Sequence, residues 1–202
     1  MNILKTVSGT IIGGIVLAVI IAVSTGGVSF NLLNFIVWIH VLAGITWIGL
    51  LYYFNFVQVP ALADAAADDG GPGGAGITKY VAPRALWWFR WGAALTWLSG
   101  AAALWKYGIL HDAFTLGMMG DSFNPAAMTI GVGAWFGTIM LFNVWVLIWP
   151  NQKKILGMVE ASEAEVAKAR VVAFTASRTN TLLSIPMLMS MVGFGHGGVF
   201  FL

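Results

Sequence analysis

Three imidazoles, His40, His111 and His196, are the strong nitrogen ligands of this 202-residue chain, because it contains no cysteine. Without thiols there is no disulfide, no thiolate metal site, no iron–sulfur cluster and no C-x-x-C-H attachment for a covalent haem. His40 lies inside the long apolar run from Asn31 to Pro60, which also holds the amides of Asn55 and Gln58. His111 follows a later apolar run and His196 closes the last one. A second polar group, Arg90, Asn143, Arg178 and Asn180, is embedded in similar sequence. Polar side chains in such settings are functional candidates, since lipid does not solvate them. No serine nucleophile with a base and no carboxylate pair lies within the apolar runs, which argues against hydrolysis. No carboxylate stands at ligand spacing beside His40, which disfavours a divalent metal.

The elements that must hold these residues follow from composition. The chain is 59% hydrophobic and 9% charged, whereas soluble domains carry about 25% charged residues. The expected fold is all-α, an integral membrane bundle of five transmembrane helices at about 7–23, 31–59, 85–107, 126–149 and 179–200. These runs are too long and too unalternating for barrel strands. The first has the outline of a signal peptide, with Ala22-Val23-Ser24 resembling a cleavage site. It reads here as a short first span, with Gly9 and Gly13 spaced for packing against a neighbour.

Residues 60–84 contain DAAADDGGPGGAG and read as a flexible linker, without the Gly-Lys-Ser/Thr ending of a phosphate loop. Gly133 and Gly137 have GxxxG spacing, and Pro150 is expected to end the fourth span. Ser162 and Glu165 form a capping-box pattern that starts a helix, and Pro186 predicts a kink in the last span. No internal repeat is evident.

Five alternating spans put every Lys and Arg except Lys106 on one side. The positive-inside rule then makes the N-terminus cytoplasmic and the C-terminus external, which is the periplasmic side for a bacterial inner membrane. The partners expected are the lipid bilayer, other membrane subunits and a cytochrome c. The formal net charge of +2, with no basic stripe, gives no reason to expect nucleic acid.

In this topology all three histidines fall in the outer half. That suggests a haem b with His40 and His196 as axial ligands, also the metal ligands, or with His111 replacing one. Gly44 and Trp47, one and two turns from His40, would line the macrocycle. Gly193, Gly195, Gly197 and Gly198 would let it approach the last helix. The alternative gives His40 a hydrogen bond between helices, leaves His111 in solvent and puts His196 at a helix terminus. The inner group, Asn55, Arg90, Asn143, Arg178 and Asn180, could bind an anionic or quinone-like carbonyl compound. It could equally pair internally, with backbone carbonyls or with lipid phosphates.

Four segments carry a family resemblance: HVLAGITWIGLLYYFNFVQVPAL, FRWGAALTWLSG, WFGTIMLFNVWVLIWPNQKKILG and ASRTNTLLSIPMLMSMVGFGH. Together they resemble the membrane domain of the bacterial membrane-bound urate oxidase (urate hydroxylase) family. Full-length members add a C-terminal cytochrome c domain, through which urate oxidation feeds electrons to respiration. With no cysteine, this chain is expected to be a short form without that domain. His40, Gly44, Trp47, Arg90, Asn143, Arg178 and Asn180 are the positions that the resemblance carries over.

Three functions follow as expectations. One is a redox-associated subunit carrying haem b beside a cytochrome or respiratory oxidase complex. Another is an accessory subunit without chemistry of its own. The third is urate oxidation with a separate cytochrome, the planar anion held by Arg90 beside Trp87, Trp88 or Trp91.

Overall fold

A computed structural model describes residues 3–199. Among them there are helices and no strands. Three helices are long and apolar enough to cross a membrane: α1 (Val7–Gly26), α2 (Leu32–Ala67) and α5 (Pro125–Ile155). The others are α3 (Ala82–Lys106), the short α4 (Leu110–Phe114) and α6 (Glu163–Gly195). The chain divides into two compact units, residues 1–34 and 35–202.

In the first unit a 3-10 turn, Ile3–Lys5, precedes α1. Thr6 caps α1 by accepting the Gly9 N–H at 3.1 Å. Gly27, at φ +75°, ends it and returns its N–H to the Val23 carbonyl. No residue of α1 is buried, as befits a helix that is apolar on every side. Gly9 and Gly13, expected to pack on another helix, serve a nearer purpose. A Cβ on Gly9 would lie 2.8 Å from Thr6 Oγ1, and one on Gly13 would lie 3.1 Å from Ile3 Cδ1. Their missing side chains let the first turn fold against α1.

In the second unit the helices run up and down. His40 of α2 meets Thr96 and Gly100 of α3, while Phe54 stacks edge-on against Phe89. Trp97 of α3 meets Thr138 of α5, and Trp91 meets Trp145. Asn143 of α5 meets Asn180 of α6, and Thr129 meets Ser190. Each pair is therefore antiparallel. The bundle has a histidine end, with His40, Lys106 and His196. Its basic end holds Lys79, Arg84, Arg90, Lys153, Lys154, Lys168, Arg170 and Arg178. Trp47, Leu51, Phe89, Met140, Val144 and Ile148 form its centre.

Prolines shape these helices without ending them. A π-helical segment stands at Tyr53–Gln58, at Ile77–Val81 and at Asn143–Ile148, in each case two residues before Pro60, Pro83 or Pro150. Proline has no N–H and its ring crowds the carbonyl four residues back. A wider turn relieves the clash and lets the helix go on. This corrects three expected boundaries. α5 continues past Pro150 to Ile155, α2 continues to Ala67, and the linker expected at 60–84 loses both ends to helix. The helix expected at the Ser162–Glu165 capping box starts there, continues into the span expected from 179, and runs unbroken through Pro186.

The Ser162 N–H and hydroxyl donate to Glu165 Oε2 at 2.9 and 3.0 Å, and Lys154 Nζ stands 3.4 Å from Oε1. The backbone N–H of Ser162 is the main cause that holds the Glu165 carboxyl below its ordinary pKa, with the hydroxyl and Lys154 adding to it. A lowered folded-state pKa means that this support is complete above the ordinary carboxylate range. It is lost as pH falls through the folded value. Protection of the amides in the first turn of α6, relative to their intrinsic exchange, should therefore fall on acidification below about pH 4. Ser162→Ala, which loses the hydroxyl but keeps the backbone N–H, should reduce that pH dependence without abolishing it.

The GxxxG pair is split in use. A Cβ on Gly133 would lie 3.0 Å from Met191 Cε and 3.2 Å from Ser190 Cβ, so this glycine seats α5 on α6. Gly137 has open space where a Cβ would stand. Gly133→Leu should cost about 1–3 kcal/mol through overpacking, while Gly137→Ala should be near neutral, as read from unfolding of the detergent-solubilised protein.

Candidate functional site

His40 is placed by the close approach of α2 and α3. A Cβ on Gly92 would lie 3.4 Å from the Trp47 backbone nitrogen, and one on Gly100 would lie 2.9 Å from His40 Cε1. Glycine at 100 thus makes room for the imidazole. His40 Nδ1 is 2.8 Å from the Thr96 carbonyl oxygen. A carbonyl can only accept, so Nδ1 carries the proton and Nε2 presents a lone pair in the neutral ring. Nε2 has no hydrogen-bond partner among the described residues. A backbone carbonyl on one ring nitrogen with the other free is the usual arrangement of a metal-bound histidine.

The neighbours expected to line a macrocycle face elsewhere. A Cβ on Gly44 would meet Thr96 Cγ2 at 3.8 Å, so Gly44 looks onto α3. Trp47 is buried in the central core, its indole N–H without an acceptor. The helix face below His40 is therefore filled by α3.

His196 stands just past α6 and donates from Nδ1 to the Val192 carbonyl at 2.8 Å. The glycines around it close the helix: the Gly198 N–H reaches the Gly193 carbonyl at 2.8 Å, with Gly197 at φ +86°. His111 is exposed on α4, beside a cleft of about 540 Å³ lined by Trp105, Leu110, Phe114 and Thr115. All three imidazoles lie at the histidine end, but at different depths. Gly100 of α3 is level with His40, whereas Tyr107 meets Phe194 at 5.8 Å between ring centroids. Those seven residues of α3 rise roughly 10 Å, and His196 lies beyond them. The structure does not bring His40 and His196 to a common level.

The amides do come together, and α6 is where they meet. Asn55 Nδ2 donates to Ser177 Oγ at 2.8 Å and to the Leu51 carbonyl at 2.9 Å. Asn143 Nδ2 donates to Asn180 Oδ1 at 2.8 Å, and Asn180 Nδ2 to the Met140 carbonyl at 3.0 Å. The Tyr52 and Ser184 hydroxyls are 2.9 Å apart, and Ser184 donates to the Thr181 carbonyl. Asn55 and Asn143 both sit in π-helical segments. Ser177, Ser184 and Thr96 were not singled out from sequence. The signal was there in the spacing of 177, 180, 181 and 184, a polar stripe along one helical face.

The arginines do not join this group. Arg90 Cζ lies 3.8 Å from the Trp149 ring centroid, and Arg178 Cζ lies 5.2 Å from that of Phe174. At the other end Asn124 caps α5 through Ala127 and donates to Asp112 Oδ2 at 2.8 Å. Leu116 nearby adopts φ +56°. No cluster of three or more His, Asp or Glu suited to a metal occurs among the described residues.

The α5–α6 hairpin, with its amide seam and its glycine-terminated end, is also the part of the chain that comparison recognises. Residues 113–201 match the urate oxidase N-terminal family model. Asn143, Arg178, Asn180 and His196 fall inside the matched residues, while His40 and Arg90 lie before them. No curated protein and no solved structure matches the chain.

Asn180→Leu should strand the Asn143 amide and cost about 1–3 kcal/mol. The double variant Asn143→Leu/Asn180→Leu should recover part of that loss. A double-mutant cycle on unfolding free energy measures the coupling.

Proposed function

We propose that the chain is a redox-associated subunit of a bacterial inner-membrane complex, a five-span bundle in which His40 gives an axial nitrogen to a haem b. The observation that carries this reading is the His40 geometry: Nδ1 held by the Thr96 carbonyl, the ring seated on Gly100, and Nε2 left free. The similarity of residues 113–201 to an oxidase family supports a redox setting. In this reading α3 and α6, each as long as a crossing requires, are the remaining two spans. The basic end then faces the cytoplasm, and the histidine end faces the periplasm, where a cytochrome c would dock.

The donor chemistry of His40 fits haem, and His196, which stands further along the bundle, would not share the group with it. When bound, the haem would supply one-electron transfer. The Thr96 carbonyl fixes the imidazole tautomer and orientation, and the α2–α3 contact holds the ring in place.

A second reading is an accessory subunit without a cofactor. What favours it is α1, a full-length apolar helix with no buried residue. One experiment separates the two. Protein purified after haem-supplemented expression should show a Soret band that His40→Ala removes and His196→Ala keeps. A preparation without haem absorbance, or a His40→Ala variant with an unchanged band, would reject the haem reading. Unchanged recovery of the partner complex with His40→Ala would then select the accessory one.

A further inference from the structure

At the basic end, Arg90 and Lys153 share one indole. Arg90 Cζ lies 3.8 Å from the Trp149 ring centroid, and Lys153 Nζ lies 5.9 Å from it. The two cations come from different helices, α3 and α5. Neither is neutralised: among the described residues the cation–carboxylate contact is Lys154 with Glu165. Two unneutralised like charges on one indole repel, the more so beside low-dielectric protein and acyl chains. The indole face offsets part of that cost, and an anion would remove the rest. Nearer the bundle centre, Trp91, the residue after Arg90, meets Trp145, one turn before Trp149, edge-on at 5.2 Å. Leu95 and Phe142, a further turn along on α3 and α5, are exposed.

We infer that Arg90, Lys153 and Trp149 bind the phosphate of an anionic phospholipid whose acyl chain lies along Trp91, Trp145, Leu95 and Phe142. The guanidinium keeps its face on Trp149 and has no hydrogen-bond acceptor among the described residues. Its edge can therefore give paired N–H bonds to two phosphate oxygens. Lys153 adds a point charge from α5. A zwitterionic headgroup would bring a third cation to the site, and free phosphate lacks the apolar anchor. The basic end also matches the leaflet in which anionic lipids attract juxtamembrane cations. This inference is independent of the haem reading.

The test is thermal unfolding of the full chain in detergent with added phosphatidylglycerol, phosphatidylcholine, inorganic phosphate or urate. Phosphatidylglycerol should raise the midpoint by several degrees over phosphatidylcholine, and phosphate or urate should not. Arg90→Gln/Lys153→Gln should lose that increment while melting normally in phosphatidylcholine. Lys168→Gln/Arg170→Gln, which removes as much charge from the same end, should keep it. Should the first double variant fail to fold, Lys153→Gln alone should weaken the increment. An increment kept after loss of Lys153 and Arg90, or of Lys153 alone, would overturn the inference. Equal loss in both double variants would mean diffuse attraction and would also overturn it. A shift produced by phosphate alone would point to a free-anion site, and one produced by urate would point to a planar substrate anion; either overturns the lipid assignment.

Discussion

Inside a bilayer a proline deletes a backbone hydrogen bond that no water is present to replace. Pro60 and Pro150 impose this on the two long apolar helices of the bundle. Both helices respond with a π-helical segment just upstream. The loosened turns carry Asn55 and Asn143, and both amides are satisfied by α6. Helix irregularity and polar packing are thus one arrangement. The prolines require a wider turn, the wider turn presents an amide, and α6 supplies its partner.

α6 takes this central place because its inward face is small and hydrogen-bonding. Ala173, Ala176, Asn180, Ser184 and Ser190 are buried along it. Small side chains allow the close approach that stabilises helix pairs in lipid, and hydroxyls and amides add directional bonds. α2 and α3 approach by the same logic through Gly92, Thr96 and Gly100. His40 belongs to that contact. The residue most suited to chemistry is also a packing residue, and its orientation is set by the α2–α3 fit.

Much of this was legible in the sequence. Apolar run lengths foretold helices long and apolar enough to cross a membrane, and the Ser162–Glu165 pattern marked the start of α6 because a capping box is a local interaction. Helix ends at prolines were misread, since the rule that proline breaks a helix holds for a solvated chain. In an apolar setting the helix has more to lose by stopping. The histidines fell at one end of the bundle, as their places along the spans implied. Their relative depth needed the packing register of α3 against α2 and α6, which no single run of sequence contains. Phe-Asn precedes a proline twice, at 54–60 and 142–150, in stretches of different length.

A π-helical turn inserts one extra residue, which rotates everything beyond it by roughly 100° relative to an unbroken α-helix. In α5 that change of phase falls between Phe142 and Trp149. A helical wheel drawn straight through Pro125–Ile155 would therefore point Trp149 and Lys153 in the wrong direction. The seam between α3 and α5 at the basic end exists because the inserted residue turns the end of α5 toward Arg90.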